Sequence, residues 1–162
     1  MTIKPGDKLP DVTLMHLTDA GPTPIGTDEL FGGKTVALFA VPGAFTPTCS
    51  NQHLPGFIEK SEELRAAGVD TIVCLSVNDA FVMGAWGKQQ GTAGKVMMVG
   101  DGNAEFTEKM GLSMDGSGFG MGKRSVRYSM IIRDGVVEQL NVEKNPGQAV
   151  DSGAENLLSQ LG

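Results

Sequence analysis

The chain switches between short, nearly unbroken apolar runs and stretches in which apolar residues recur at helical spacing. Residues 35–41 (TVALFAV), 71–77 (TIVCLSV) and 95–99 (KVMMV) are runs of the first kind. Runs this short, rich in β-branched residues, predict strands covered on both faces. Between the first two, Leu54, Phe57, Leu64 and Ala67 fall at helical spacing and Gly68 follows as a stop. They predict one helix whose first turns Pro55 should kink. Asp79 is placed to cap a second helix carrying Phe81, Val82, Ala85 and Trp86. A short third helix is predicted over 103–110, ending at Gly111.

The final third reads differently. Residues 125–132 and 136–142 flank Arg133-Asp134-Gly135, and an Asp-Gly pair between two strand-like runs predicts a hairpin. Ser152 and Glu155, followed by Leu157, Leu158 and Leu161, have the spacing of a capping box opening a terminal helix. Strand, helix, strand, helix, strand, then a hairpin and a helix predict an α/β fold, a central mixed β-sheet with helices on both faces. A thioredoxin-like fold fits this order, as do other α/β sandwiches. The glycine-rich stretch 116–122 lacks the spacing and the following helix of a phosphate loop and reads as a mobile surface loop.

Length and charge narrow the function classes. The chain has 162 residues and a mass of 17.0 kDa, so residues 1–162 are expected to form one domain. The apolar run at 36–41 is far short of the roughly 20 residues a membrane helix needs, and residues 1–7 lack the apolar stretch of a secretory signal. Thirteen basic against nineteen acidic residues give a net charge of −6, with no basic stripe to attract phosphate backbones. The expectation is therefore a cytoplasmic protein with no nucleic-acid and no membrane partner. No cluster has metal-ligand spacing, so no metal or other cofactor is expected. Two cysteines do not make a disulfide scaffold.

Chemistry concentrates in residues 41–50, VPGAFTPTCS. The segment leaves a buried strand and enters a helix, which puts Cys49 in the first helical turn. Unpaired backbone N–H groups and the positive end of the helix dipole favour an anion there, so a thiolate is expected. Two prolines and a glycine fix Thr46 relative to Cys49. A buried, inert thiol fits the same place, and position alone leaves both readings open.

Pro42, Thr46 and Cys49 stand as Pro-x-x-x-Thr-x-x-Cys, which resembles the active-site signature of the peroxiredoxins. The whole string, with His53-Leu54-Pro55-Gly56-Phe57 after it, resembles the peroxiredoxin-5 (type II) subfamily. Residues 74–82 (CLSVNDAFV), Asp101-Gly102-Asn103 and Arg127-Tyr128-Ser129-Met130 extend the likeness over nearly the whole chain. The resemblance implies a thioredoxin-like fold and a thiol peroxidase that reduces hydrogen peroxide and alkyl hydroperoxides. It implies that Cys49 attacks the peroxide and becomes a sulfenic acid. In the same way Thr46 would hold thiolate and peroxide, Arg127 would favour the thiolate and the departing oxygen, and Pro42 would shield the cysteine. The backbone N–H groups of Thr48 and Cys49 would bind the peroxide oxygens. Taken without the resemblance, Thr46 is an ordinary turn residue and Arg127 a surface arginine in a strand, sharing a face with Ser129 and Ile131. Arg124, of opposite parity, is the competitor. His53 reads as a surface or capping residue outside the catalytic set.

Some members of the subfamily carry a second, resolving cysteine near the start of the last helix. Residues 148–152 read QAVDS here, and Cys74 sits mid-strand among apolar residues. The expectation is a one-cysteine cycle recycled by an external thiol, glutathione with glutaredoxin first and thioredoxin second. Such a cycle needs Cys49 at the base of a short open pocket. A homodimer is implied, with Phe45 and either Phe81 or Phe119 as candidate contacts. Thiol–disulfide exchange is disfavoured by the lack of a Cys-x-x-Cys pair. A peroxide sensor that relays oxidation to a protein partner begins with the same sulfenic acid and stays open.

Overall fold

The computed structural model describes residues 2–145 and 147–161. Its elements run β1 (Thr13–Thr18), β2 (Gly21–Gly26), α1 (Thr27–Phe31), β3 (Thr35–Val41), a π-helical turn (Cys49–His53), α2 (Leu54–Glu59) and α3 (Ser61–Ala66). They continue as β4 (Thr71–Ser76), α4 (Ala80–Gln90), β5 (Met97–Gly100), α5 (Glu105–Lys109) and β6 (Ser113–Asp115). The last are β7 (Lys123–Ser125), β8 (Tyr128–Arg133), β9 (Val136–Val142) and α6 (Ala154–Gln160). A seven-stranded sheet has the order β2-β1-β5-β4-β3-β8-β9. Strands β3, β4 and β5 are parallel, and the outer pairings are antiparallel, which gives the mixed sheet of a thioredoxin-like fold.

The near-continuous apolar runs are explained by burial on both faces. Along β3, Val36, Leu38 and Ala40 enter one cluster with Leu30, Phe31, Phe106 and Met110 from α1 and the α5 region. Ala37, Phe39 and Val41 enter the other, with Leu54, Phe57, Leu64, Met83, Trp86 and Leu157 from α2, α3, α4 and α6. Cys49 and Cys74 belong to this second face. The parallel strands β3 and β4 thus lie under the helices that carry the reactive segment.

Several details depart from the sequence expectation. The single helix expected over 54–67 is two helices, broken at Lys60 (φ −92°, ψ 6°), and Ala67 is exposed. Gly68 does end it, at φ +107°. The hairpin β1–β2 was not anticipated because β2 (GPTPIG) holds two prolines, which only an edge strand tolerates. The later hairpin turns at Asp134 and Gly135, both at positive φ (49° and 76°), as a tight two-residue turn demands. The capping box does not form. The N-cap of α6 is Gly153 with no side-chain cap, because Ser152 is engaged elsewhere. Residues 116–122 are the turn of the β6–β7 hairpin, closed by Gly116 N–H donating to the Gly122 carbonyl at 2.6 Å.

Candidate active site

The reactive loop is held before the helix begins. The Ala44 N–H donates to Asn78 Oδ1 at 3.0 Å, tying the loop to the end of β4. Phe45 adopts φ +67°, a left-handed conformation that a non-glycine residue enters only under constraint. Its ring tilts over Trp86 at 6.3 Å. Helical conformation starts at Pro47, where a missing N–H costs nothing. The N–H groups of Thr48 and Cys49 lie in this first turn, for which the helix supplies no carbonyl. The Thr46 hydroxyl donates to the Gly43 carbonyl at 2.7 Å, leaving its oxygen lone pairs as acceptors.

Cys49 opens the π-helical turn, in which the Leu54 N–H reaches back to the Cys49 carbonyl. Pro55, which lacks an N–H, follows at the start of α2, so the kink expected there is expressed as a widened turn. Trp86 Nε1 donates to Ser50 Oγ at 3.0 Å and pins the turn to α4.

The thiol faces a guanidinium. Arg127 Nη2 donates to Cys49 Sγ at 3.1 Å, and Arg127 Nη1 lies 3.0 Å from His53 Nδ1. His53 Nε2 lies 2.9 Å from the Ser152 carbonyl oxygen. A carbonyl only accepts, so Nε2 carries the proton and Nδ1 accepts from Arg127. Burial, then the nearby Arg127 charge, push the His53 pKa down to about 3, consistent with this neutral tautomer.

Arg127 lies beside the cysteine, as the resemblance implies, and is not the surface arginine that its strand pattern alone suggests: it precedes β8, is buried, and reaches the thiol with its side chain. His53 is not a surface or capping residue either; it is 1% exposed and binds Arg127. The signal was available, since a residue four beyond Cys49 lies on the same helical face. Arg124, in β7, stays near the loop without reaching the sulfur. Its Nε donates to the Met121 carbonyl at 2.9 Å and its Nη1 to the Pro42 carbonyl at 3.4 Å. Pro42 is half-buried beside it.

Cys49 has no exposed surface, so the open pocket expected above it is absent. The thiol is packed into the second apolar cluster and capped by Arg127. Cys74, also fully buried, pairs with Phe39 in the middle of the sheet. Burial pushes its thiol well above the usual range, a charge on Cys49 pushes the same way, and Arg127 opposes both. Phe45, Phe81 and Phe119 are exposed at 49%, 63% and 87%. Among the described residues no group of three or more His, Cys, Asp or Glu is arranged to hold a metal ion.

Residues 4–158 match the family model described as Redoxin. The chain is 49% identical to Peroxiredoxin-2E, chloroplastic, of Arabidopsis thaliana, over 99% of this chain and 70% of that protein. Its fold superposes on the crystal structure of reduced Prx3 from Vibrio vulnificus in complex with hydrogen peroxide, at a TM-score of 0.94. That pair shares 53% identity over 99% of this chain and 100% of the other. The Plasmodium falciparum antioxidant protein, described as a 1-Cys peroxiredoxin, matches at a TM-score of 0.88 and 31% identity over 98% of each chain.

Proposed function

The chain belongs to the redoxin family and is a peroxiredoxin, a thiol-dependent peroxidase, and we propose that it works by a one-cysteine cycle on Cys49. In the first half, the Cys49 thiolate attacks one oxygen of hydrogen peroxide or an alkyl hydroperoxide. An S–O bond forms, the O–O bond breaks, and the departing oxygen takes a proton and leaves as water or an alcohol. The cysteine is left as a sulfenic acid, oxidised by two electrons. In the second half an external thiolate attacks that sulfur and water leaves. A second thiol then opens the mixed disulfide and restores Cys49.

The guanidinium 3.1 Å from the sulfur is the observation that carries this reading. Arg127 is cationic at any working pH, so it favours the thiolate and the charge that develops on the leaving oxygen. Thr46, its own proton given to Gly43, offers lone pairs to the peroxide O–H. The first-turn N–H groups of Thr48 and Cys49 are donors to the peroxide oxygens, and Pro42 screens the thiolate from water.

The state of Cys74 supports the single-cysteine cycle. A thiol held protonated inside the sheet is a poor nucleophile toward a sulfenic acid. Residues 148–152 supply no other cysteine. Glutathione is favoured over thioredoxin as the first attacker because a tripeptide needs less opening around a covered sulfur than a folded protein does. Glutaredoxin would then act on the mixed disulfide. This assignment goes with a cytoplasmic location, where glutathione is plentiful. Exposed rings at Phe45, Phe81 and Phe119 support a homodimer, with Phe45 and either Phe81 or Phe119 among its contacts.

Hydrogen peroxide consumption by the purified protein tests the cycle, with glutathione plus glutaredoxin and thioredoxin plus its reductase supplied separately. Turnover is expected with the first pair and none in Cys49→Ser. Turnover with thioredoxin alone would reassign the reductant. A single oxidation of Cys49 that neither system reverses would favour a peroxide sensor instead.

A further inference from the structure

Glu143 follows β9 and is a carboxylate only 9% exposed. Its acceptors are occupied by the loop that leads into α6. Oε1 accepts from the N–H groups of Val150 and Asp151, both at 3.2 Å. Oε2 accepts from the Ser152 N–H at 2.8 Å and the Ser152 hydroxyl at 2.8 Å. Burial opposes ionisation of this carboxyl, but the donors from Ser152, Val150 and Asp151 outweigh it and hold the group below its ordinary range. The Glu143 N–H also donates to the Arg127 carbonyl at 2.9 Å.

These bonds fix the Ser152 peptide, whose carbonyl is the acceptor for His53 Nε2. Only with the proton on Nε2 does Nδ1 have a lone pair for Arg127. With the proton on Nδ1, two donors would face each other and the guanidinium would lose its contact with His53. The Ser152 hydroxyl forgoes the local role its spacing suggests, leaving α6 without a side-chain cap. Local helix stability is given up where the site gains a fixed carbonyl.

We propose that Glu143 is a positioning residue for peroxide reduction: by holding residues 150–152 it selects the His53 tautomer, and through His53 it aims Arg127 at Cys49. This rests on the reading of Cys49 as the peroxide-reactive thiol. The ring closes on itself, since Glu143 touches the Arg127 backbone directly and the Arg127 side chain through Ser152 and His53.

The chain has two histidines, His16 and His53, so long-range proton–nitrogen NMR resolves both rings in the full protein. In the native chain His53 is expected with its proton on Nε2 alone. Glu143→Gln keeps the shape but turns an NH2 toward backbone donors. It is expected to mix the His53 tautomers and to slow single-turnover oxidation of Cys49 by hydrogen peroxide, without any reductant, roughly ten-fold. Glu143→Asp, charged but one methylene shorter, is expected to fall between the two in both readouts. A native His53 protonated on Nδ1 overturns the proposal whether or not the variants fold. So does a folded Glu143→Gln with an unchanged tautomer or an unchanged oxidation rate. A native Cys49 inert to peroxide would instead sink the peroxidase reading beneath it, which the tautomer measurement by itself would not do.

Discussion

Arg127 Nη1 lies 3.0 Å from His53 Nδ1, so the guanidinium beside Cys49 is oriented by a neutral ring. A carboxylate in that place would neutralise part of the positive charge before the sulfur received it. An uncharged acceptor fixes the direction of the guanidinium and leaves its charge to the thiolate. The buried carboxylate of the network, Glu143, stands two links further back, on the far side of Ser152.

Removing the guanidinium should therefore act on the peroxide step. Arg127→Ala is expected to slow oxidation of Cys49 by roughly 100- to 1,000-fold, as loss of a preorganised charge donor does. Arg127→Lys restores charge without the two-pronged geometry and should recover only part. Stopped-flow oxidation with hydrogen peroxide checks the rates. Unchanged rates would move the role to Arg124.

The two cysteines should behave very differently. Cys49→Ser is expected to lose all peroxide reduction, whereas Cys74→Ala should retain most of it. Loss of turnover in Cys74→Ala, with its fold intact by circular dichroism, would restore a two-cysteine cycle.

His53 makes stability depend on pH. Its folded pKa of about 3 lies below the 6.5 of a free imidazole, so the unfolded chain binds more protons between these values. Its contribution is complete above about pH 6.5 and is lost as the pH falls toward 3, at up to ~1.4 kcal/mol per pH unit. His53→Gln keeps an acceptor for Arg127 and a donor for Ser152 but does not titrate. Urea unfolding at pH 7, 5.5 and 4 should show a shallower decline in the variant. Parallel profiles would mean that His53 is protonated, or not buried, in the folded protein.

Trp86, the only tryptophan, is hydrogen-bonded to the residue that follows Cys49. Oxidation of Cys49 crowds the first helical turn and should change Trp86 emission at the same rate as the thiol is consumed. Identical emission from the reduced and oxidised protein would show that the π-helical turn does not move when Cys49 reacts.

What the sequence revealed and what it hid follow from the range of the interactions. Residues 35–41 and 71–77 could be read because burial on two faces writes itself as an apolar run, and the Asp134-Gly135 turn because positive φ restricts residue choice. The Cys49 segment could be read because a helix start after a strand has local chemistry. His53, Ser152 and Glu143 were misread or passed over because their roles depend on partners 74, 99 and 9 residues away in the chain. Ser152 misled most directly. Its spacing to Glu155 describes a local cap, but a buried carboxylate offers both its N–H and its hydroxyl a stronger, charged acceptor.

Intact mass of the Cys74→Ala protein, taken after one equivalent of hydrogen peroxide and again after glutathione, tests the one-cysteine cycle. A gain of one oxygen on Cys49 is expected, then its replacement by one glutathione, which glutaredoxin removes. A native protein that instead loses two hydrogens and forms a Cys49–Cys74 disulfide, while Cys74→Ala fails to turn over, would contradict it.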